Sequence, residues 1–169
     1  MLQKIIFLLL FCSFLYGHPH TFMDVSPKVF TKNKTIEKIN IKWLMDEMTS
    51  SMLIMEFDQN QNNKIDPSEN NYIFENYFAS LEKYTYYIHI KQNFKISNFK
   101  ASIIKNRIQY SFDIILDNKN LLKNFSLSFY DTDFFVSLQL KKEFIKQKLP
   151  FQIEDIDGDF YYGYKITYK

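Results

Sequence analysis

The residues from Asp58 to Glu69 have the types and the spacing of a calcium-binding loop. Calcium in proteins takes about six to eight oxygen ligands, and the EF-hand, a helix–loop–helix motif, supplies them from fixed positions of a twelve-residue loop. With Asp58 at the first position, Glu69 occupies the twelfth, where a carboxylate binds through both oxygens. The predicted ligands are Asp58, Asn60, Asn62, the backbone carbonyl of Lys64, Asp66 and Glu69.

The composition of this loop predicts a weak, structural calcium site. Its sixth position needs a positive φ and usually carries Gly, and Asn63 is the next best residue for that conformation. Only three of the predicted ligands are acidic, and no second loop of this kind is visible in the sequence to pair with it. We therefore expect a dissociation constant of about 10⁻⁴ to 10⁻³ M. The alternative is a solvated polar loop that only joins two helices.

Residues 1–17 have the layout of a secretory signal peptide, with Lys4 before an apolar run and the small residue Gly17 at its end. This predicts an exported protein. Removal of the segment would take away Cys12, the only cysteine, so the mature chain would form no disulfide. Loss of Lys4 changes the net charge from +2 to +1, a balance that argues against nucleic acid or an anionic membrane as the main partner.

Cleavage after Gly17 would expose a second group of candidate ligands, in His18-Pro19-His20. The new amine and the imidazoles of His18 and His20 could bind a transition metal such as Ni²⁺, Zn²⁺ or Cu²⁺. Asp24 shares a strand face with His20, so it could complete the site or orient the imidazole from a second shell. His89 is a further candidate ligand. The alternative is a frayed terminus with solvated histidines.

The elements that would position these groups belong to an α+β fold, an antiparallel β-sheet or sandwich with an inserted EF-hand-like helix–loop–helix. Residues 35–44 alternate apolar and polar side chains, which is typical of a half-buried antiparallel strand. Residues at about 46–83 form the predicted insert: a first helix with Met48, Met52 and Met55 at helical spacing, and a second one beginning near Pro67. Further strands are predicted at 20–31, 84–91, 100–104, 107–116, 125–130, 134–140 and 161–168. Residues 18–169 are thus expected to form one domain.

No catalytic set can be assembled from this composition. The mature chain would have three histidines, no cysteine and no glycine-rich phosphate loop. Asp46 and Glu47 follow a predicted strand, and capping of the next helix by Asp46 is favoured over a catalytic role. We therefore predict that the protein is not an enzyme. A copper histidine brace at His18 and His20 is the remaining enzymatic alternative.

Several of these motifs together resemble the DUF1007 family of bacterial periplasmic proteins. The resemblance rests on four segments in the same order and spacing: His18-Pro19-His20, Trp43 with Asp46-Glu47, the loop from Asp58 to Glu69, and residues 130–136. It implies the periplasmic component of an ABC-type transport system, associated with nickel, cobalt or zinc. Many members carry Gly where this chain has Asn63, which is consistent with weak calcium affinity here.

Two functional hypotheses follow. In the first, the protein is an exported metal-binding accessory of transition-metal transport, and its partner is a membrane metal permease. Calcium would stabilise the helical insert. In the second, calcium orders a surface that docks a permease or another exported protein, without transition-metal chemistry. Neither hypothesis requires nucleic acid or, after removal of the signal, a membrane span.

Overall fold

The computed structural model describes residues 21–133, 135–159 and 161–169. Its strands form two sheets, with the order β4-β5-β2-β1-β7 in the first and β3-β6-β9-β8 in the second. The strands are β1 (Thr21–Lys32), β2 (Thr35–Met45), β3 (Ile88–His89), β4 (Phe94–Ile104), β5 (Arg107–Leu116), β6 (Ser126–Tyr130), β7 (Val136–Gln139), β8 (Phe151–Asp157) and β9 (Tyr162–Tyr168). Every pairing between them is antiparallel except that of β1 with β7. The predicted α+β architecture is confirmed.

The first hairpin shows how the sequence pattern sets the register. In β2, Ile39, Ile41 and Trp43 are fully buried, while the side chains between them lie on the outer face. β1 and β2 are joined by Asn33 and Lys34, which have φ angles of 51° and 64°. A two-residue hairpin turn with two positive φ values matches the twist of the flanking strands.

The helical residues lie where the insert was predicted, between β2 and β3. The first helix, α1 (Glu47–Phe57), is capped by Asp46, whose Oδ1 accepts a hydrogen bond of 2.9 Å from Thr49 N. The second, α2 (Pro67–Ile73), continues through a π-turn at Phe74–Phe78 and 3₁₀ turns at Ala79–Tyr87. The strand predicted at 84–91 is therefore wrong, except for the two residues of β3.

An aromatic cluster holds this helical segment against the first sheet. Phe78, in the π-turn, is fully buried. Its ring centroid lies 4.3 Å from that of Phe99 and 4.9 Å from that of Phe112. Trp43 of β2 packs against the same cluster, 5.9 Å from Phe78. The core is thus continuous from the sheet into the insert.

Asp113 is a buried carboxylate on the outer face of the first sheet, with 3% of its surface exposed. It accepts hydrogen bonds from Lys38 Nζ at 2.8 Å, Asn98 Nδ2 at 2.8 Å and Asn40 Nδ2 at 2.9 Å. Burial alone would raise the pKa of Asp113, but these three bonds and the Lys38 charge outweigh it, so the pKa is lowered. The ionised form is therefore stabilised in the folded protein.

Replacement Asp113→Asn is expected to destabilise the protein at pH 7 and progressively less in acid. Because the folded pKa lies below that of the unfolded chain, the stabilising contribution is present above the unfolded value of about 3.9 and is lost as the pH falls through the folded value. Urea denaturation at several pH values measures the difference in unfolding free energy. Asp117→Asn, at an exposed acid just beyond β5, is the control. A difference that does not narrow below about pH 4 would contradict this account.

Within residues 21–133, 135–159 and 161–169, no helix combines the length and the apolar character needed to cross a membrane.

Candidate metal-binding loop and its surroundings

The loop from Asp58 to Glu69 lies between two well-defined helix ends. Phe57, the last residue of α1, is fully buried, and its ring lies 4.8 Å from that of Tyr77. Asp66 is the N-cap of α2, and Pro67 takes the first helical position, where a missing N–H costs nothing. The two ends of the loop are therefore fixed by the core and by helix capping.

The carboxylates at the first and last loop positions organise its backbone. Asp58 accepts hydrogen bonds from Asn62 N at 3.0 Å and Asn63 N at 2.8 Å. Glu69 accepts one from Gln59 N at 2.9 Å and one from Asp66 N at 2.8 Å. Every carboxylate oxygen of this pair thus has a backbone N–H donor. Asn63 has a φ of 60°, which is the conformation that the sequence predicted for the sixth position.

The middle ligand positions are arranged around Asp66. The side-chain amides of Asn60 and Asn62 donate to Asp66 Oδ2 at 2.8 and 2.9 Å. In this conformation amide nitrogens, which do not bind cations, face the carboxylate. No three His, Cys, Asp or Glu side chains gather into a metal-binding group in the part of the chain that the structure describes. Calcium coordination here would need both amides to rotate and present their oxygens.

The electrostatics of the loop nevertheless favour a cation. Asp58 and Glu69 are only 5% and 6% exposed. Among the described residues, neither forms an ion pair with Lys, Arg or His. Two buried carboxylates at one loop, neutralised only by N–H dipoles, leave negative charge that a bound cation would balance. The donor set of carboxylate and amide oxygens suits a hard ion such as Ca²⁺.

Asp24 lies apart from this loop, on the outer face of the first sheet. Its Oδ2 lies 3.2 Å from a guanidinium nitrogen of Arg107, and both side chains are about a quarter exposed. Arg107 also donates to the carbonyl of Met45 at the end of β2. Asp24 is therefore held by an ion pair. His18 and His20, the predicted transition-metal ligands, lie outside the described residues.

His89 lies in β3 and packs on Tyr130 of β6. The two rings are stacked, with centroids 3.6 Å apart and an angle of 6° between their planes. The Nε2 atom of His89 lies 3.1 Å from the carbonyl oxygen of Tyr130. Burial lowers the pKa of His89, although this hydrogen bond and the charge of Asp131 act in the opposite direction. The imidazole is therefore mainly neutral at pH 7, the form that binds metals.

Asp131 is a structural carboxylate that the sequence reasoning missed. It is 5% exposed and accepts hydrogen bonds of 3.0 Å from the backbone N–H groups of Asp133, Phe135 and Val136. These bonds shape the turn between β6 and β7. The spacing of Asp131 and Asp133 after an alternating strand was the available signal, because Asp favours turns in which its side chain binds following N–H groups.

Comparison of the sequence with known proteins identifies its family. The family model described as "Protein of unknown function (DUF1007)" matches residues 4–153, which is most of the chain. The chain belongs to the DUF1007 family. A Haemophilus influenzae protein described as uncharacterized is 30% identical over 143 residues, covering 76% of this chain and 66% of that protein. No solved structure matches the chain.

Membership in DUF1007 extends over both regions that carry candidate ligands. The matched residues include the histidine segment and the whole loop from Asp58 to Glu69. The match ends within β8, so β9 and the end of β8 lie beyond it. The family's description names no activity, so any function must be argued from the chemistry of these residues.

Proposed function

We propose that this DUF1007 protein is an exported metal-binding accessory protein linked to transition-metal transport, with one weak structural calcium site at the loop from Asp58 to Glu69. The observation that carries the calcium part of the proposal is the pair of buried carboxylates, Asp58 and Glu69, without a cationic partner among the described residues. Calcium would replace the missing positive charge. It would also link the end of α1 to the start of α2 through Asp58 and Glu69.

The transition-metal part of the proposal rests on the chemistry of a segment that lies outside the described residues. The segment His18-Pro19-His20 precedes β1, and imidazoles with a free amine suit Ni²⁺, Zn²⁺ or Cu²⁺. These are borderline ions, whereas the oxygen-rich loop suits a hard one. The protein would therefore use two different sites for two different classes of metal, and a permease would be the partner that receives the transition metal.

The test begins with the intact mass of the exported protein, which shows whether His18 is the first residue. Titration with Ni²⁺, Zn²⁺ and Cu²⁺ then compares this protein with the variant His18→Ala/His20→Ala. We expect saturable binding in the parent and its loss in the variant. Equal affinity of both proteins for all three metals would refute the terminal site.

The second candidate function is a calcium-ordered docking module. It is favoured by two exposed aromatic side chains at the start of neighbouring strands, Phe22 and Phe135, which are 44% and 60% exposed. Phe22 lies opposite Ser137 in the parallel β1–β7 pair, so both aromatics lie at one end of the first sheet. Capture of a membrane protein that requires calcium but tolerates His18→Ala/His20→Ala would favour this function over metal delivery.

A further inference from the structure

The helix α1 presents three methionines to solvent. Met48, Met52 and Met55 are 66%, 55% and 79% exposed. Their spacing of four and three residues places them on one helix face within two turns. The spacing would ordinarily indicate the face that enters the core. In this helix the arrangement is reversed, because Thr49 and Ser50 are buried.

The methionines face solvent because the opposite face of α1 is the one that contacts the sheet. Ser50 is fully buried, donates to the carbonyl of Met45 at 3.3 Å and accepts from the backbone N–H of Ile108 at 3.0 Å. These bonds join α1 to β2 and β5. The helix is thus docked by this polar contact, by Phe57 and by the half-buried Leu53 and Ile54, so packing of the core does not account for the three thioethers.

The chemistry of the exposed face suits a soft cation. A thioether is a neutral, polarisable ligand without a proton to lose, and it selects Cu(I) and similar ions over hard ones. The α1 sequence contains the acidic residues Glu47 and Glu56 and no Lys or Arg. The helix therefore carries no basic residue of its own that would repel a monovalent cation.

The geometry of the helix also permits the three sulfur atoms to meet. At 1.5 Å per residue, the α-carbons of Met48 and Met55 lie about 10.5 Å apart along the axis, with Met52 between them. Methionine has three rotatable side-chain bonds, so the outer two side chains can fold toward the central one. We propose that Met48, Met52 and Met55 form a solvent-facing thioether site for a soft monovalent cation of the Cu(I) class.

This inference is independent of the calcium site and of the terminal histidines, because it uses other residues and another class of ion. Its test is a titration of the exported protein with Ag(I), and with Cu(I) under reducing, anaerobic conditions. Labelled methionine methyl groups are observed by NMR. Beyond Met1 the chain contains Met23, Met45 and the three residues of the proposed site.

We expect the three α1 methyl signals to shift together and to saturate. Those of Met23 and Met45, which are 3% and 6% exposed, should stay in place and act as internal controls. In the variant Met48→Leu/Met52→Leu/Met55→Leu, saturable Ag(I) binding observed by calorimetry should be weakened or lost. Leu has a similar size and high helix propensity, so the helix is retained, as circular dichroism would verify.

Two results would overturn the proposal. One is an absence of saturable methyl shifts on α1. The other is an unchanged Ag(I) affinity in the leucine variant. Because leucine preserves the apolar surface, a face that serves only to dock another protein would behave in this second way.

Discussion

Replacement of Glu69 by Gln is expected to abolish the response of this protein's stability to calcium. At about 10 mM Ca²⁺ and a dissociation constant of about 10⁻⁴ to 10⁻³ M, binding should stabilise the parent by about 1.4–2.7 kcal/mol. For a domain of this size, that corresponds to a rise in Tm of about 3–10 °C. The variant would lack the bidentate carboxylate at the last loop position, so its Tm should not change with calcium.

The measurement is thermal denaturation with calcium and with a chelator, followed by circular dichroism. The calcium-dependent difference in Tm is the informative quantity, because Glu69→Gln also removes an acceptor for a backbone N–H and lowers stability by about 1 kcal/mol without metal. Glu75→Gln, which removes an exposed acid from the following π-turn, is the matched control and should keep the full response. A parent whose Tm is insensitive to millimolar calcium would show that the loop is a hydrogen-bonded connector.

Truncation of Phe78 to Ala is expected to have the largest effect on stability. Phe78 is fully buried, and its ring contacts aromatic side chains from the first sheet and the insert: Trp43, Tyr86, Phe99, Tyr110 and Phe112. Loss of a buried phenyl ring costs about 3–5 kcal/mol through lost transfer free energy and the cavity left behind. Since domains are commonly stable by about 5–15 kcal/mol, the variant should lose at least about a fifth of its free energy of unfolding.

Phe74→Ala offers a control one turn earlier in the same π-turn. Phe74 is 40% exposed and contacts fewer rings, Phe78 at 6.1 Å and Phe99 at 5.5 Å. Its truncation should lower the free energy of unfolding by about 1 kcal/mol. Urea denaturation measures the free energy of unfolding of both variants. Equal losses would mean that the cluster does not depend on Phe78 as its centre.

The sequence predicted most of the first sheet because its strands obey simple local rules. Residues 38–43 alternate strictly, and 107–116 are rich in β-branched and aromatic side chains, so β2 and β5 were found close to their true ends. The helix cap at Asp46 was also predicted, because a carboxylate before a helical run satisfies a free N–H. Local chemistry and tertiary structure agree at these places.

Prediction from the sequence failed where tertiary contacts override local composition. Residues 84–87 are rich in tyrosine and were predicted as a strand, yet they form a non-helical turn after the helical segment, with Thr85, Tyr86 and Tyr87 at positive φ. β8 was missed because Glu154, Asp155 and Asp157 give it the composition of a loop, while its partner β9 supplies the pairing. The contribution of a partner strand cannot be read from the composition of one segment alone.

The candidate site, like the fold, was predicted from the sequence only in part. The positions of Asp58, Asn63 and Glu69 in the loop followed from a twelve-residue pattern, and Asn63 has the expected φ. The orientation of the Asn60 and Asn62 amides depends on hydrogen bonds to Asp66, which the spacing does not determine. The exposure of the α1 methionines could not be predicted from the sequence either, because it follows from the docking of Ser50 against Ile108.

The parallel pairing of β1 with β7 has a consequence for the order of folding. Thr21 lies opposite Val136, about 115 residues later, whereas β1 and β2 are joined by a two-residue turn. The hairpin can therefore form early, but the part of β1 that pairs with β7, Thr21 to Asp24, keeps one edge unpaired until β7 is synthesised. An edge of that kind can recruit another chain. Nascent chains should be most prone to aggregation before residues 136–139 arrive, and a chain truncated ahead of β7 would retain that vulnerability permanently.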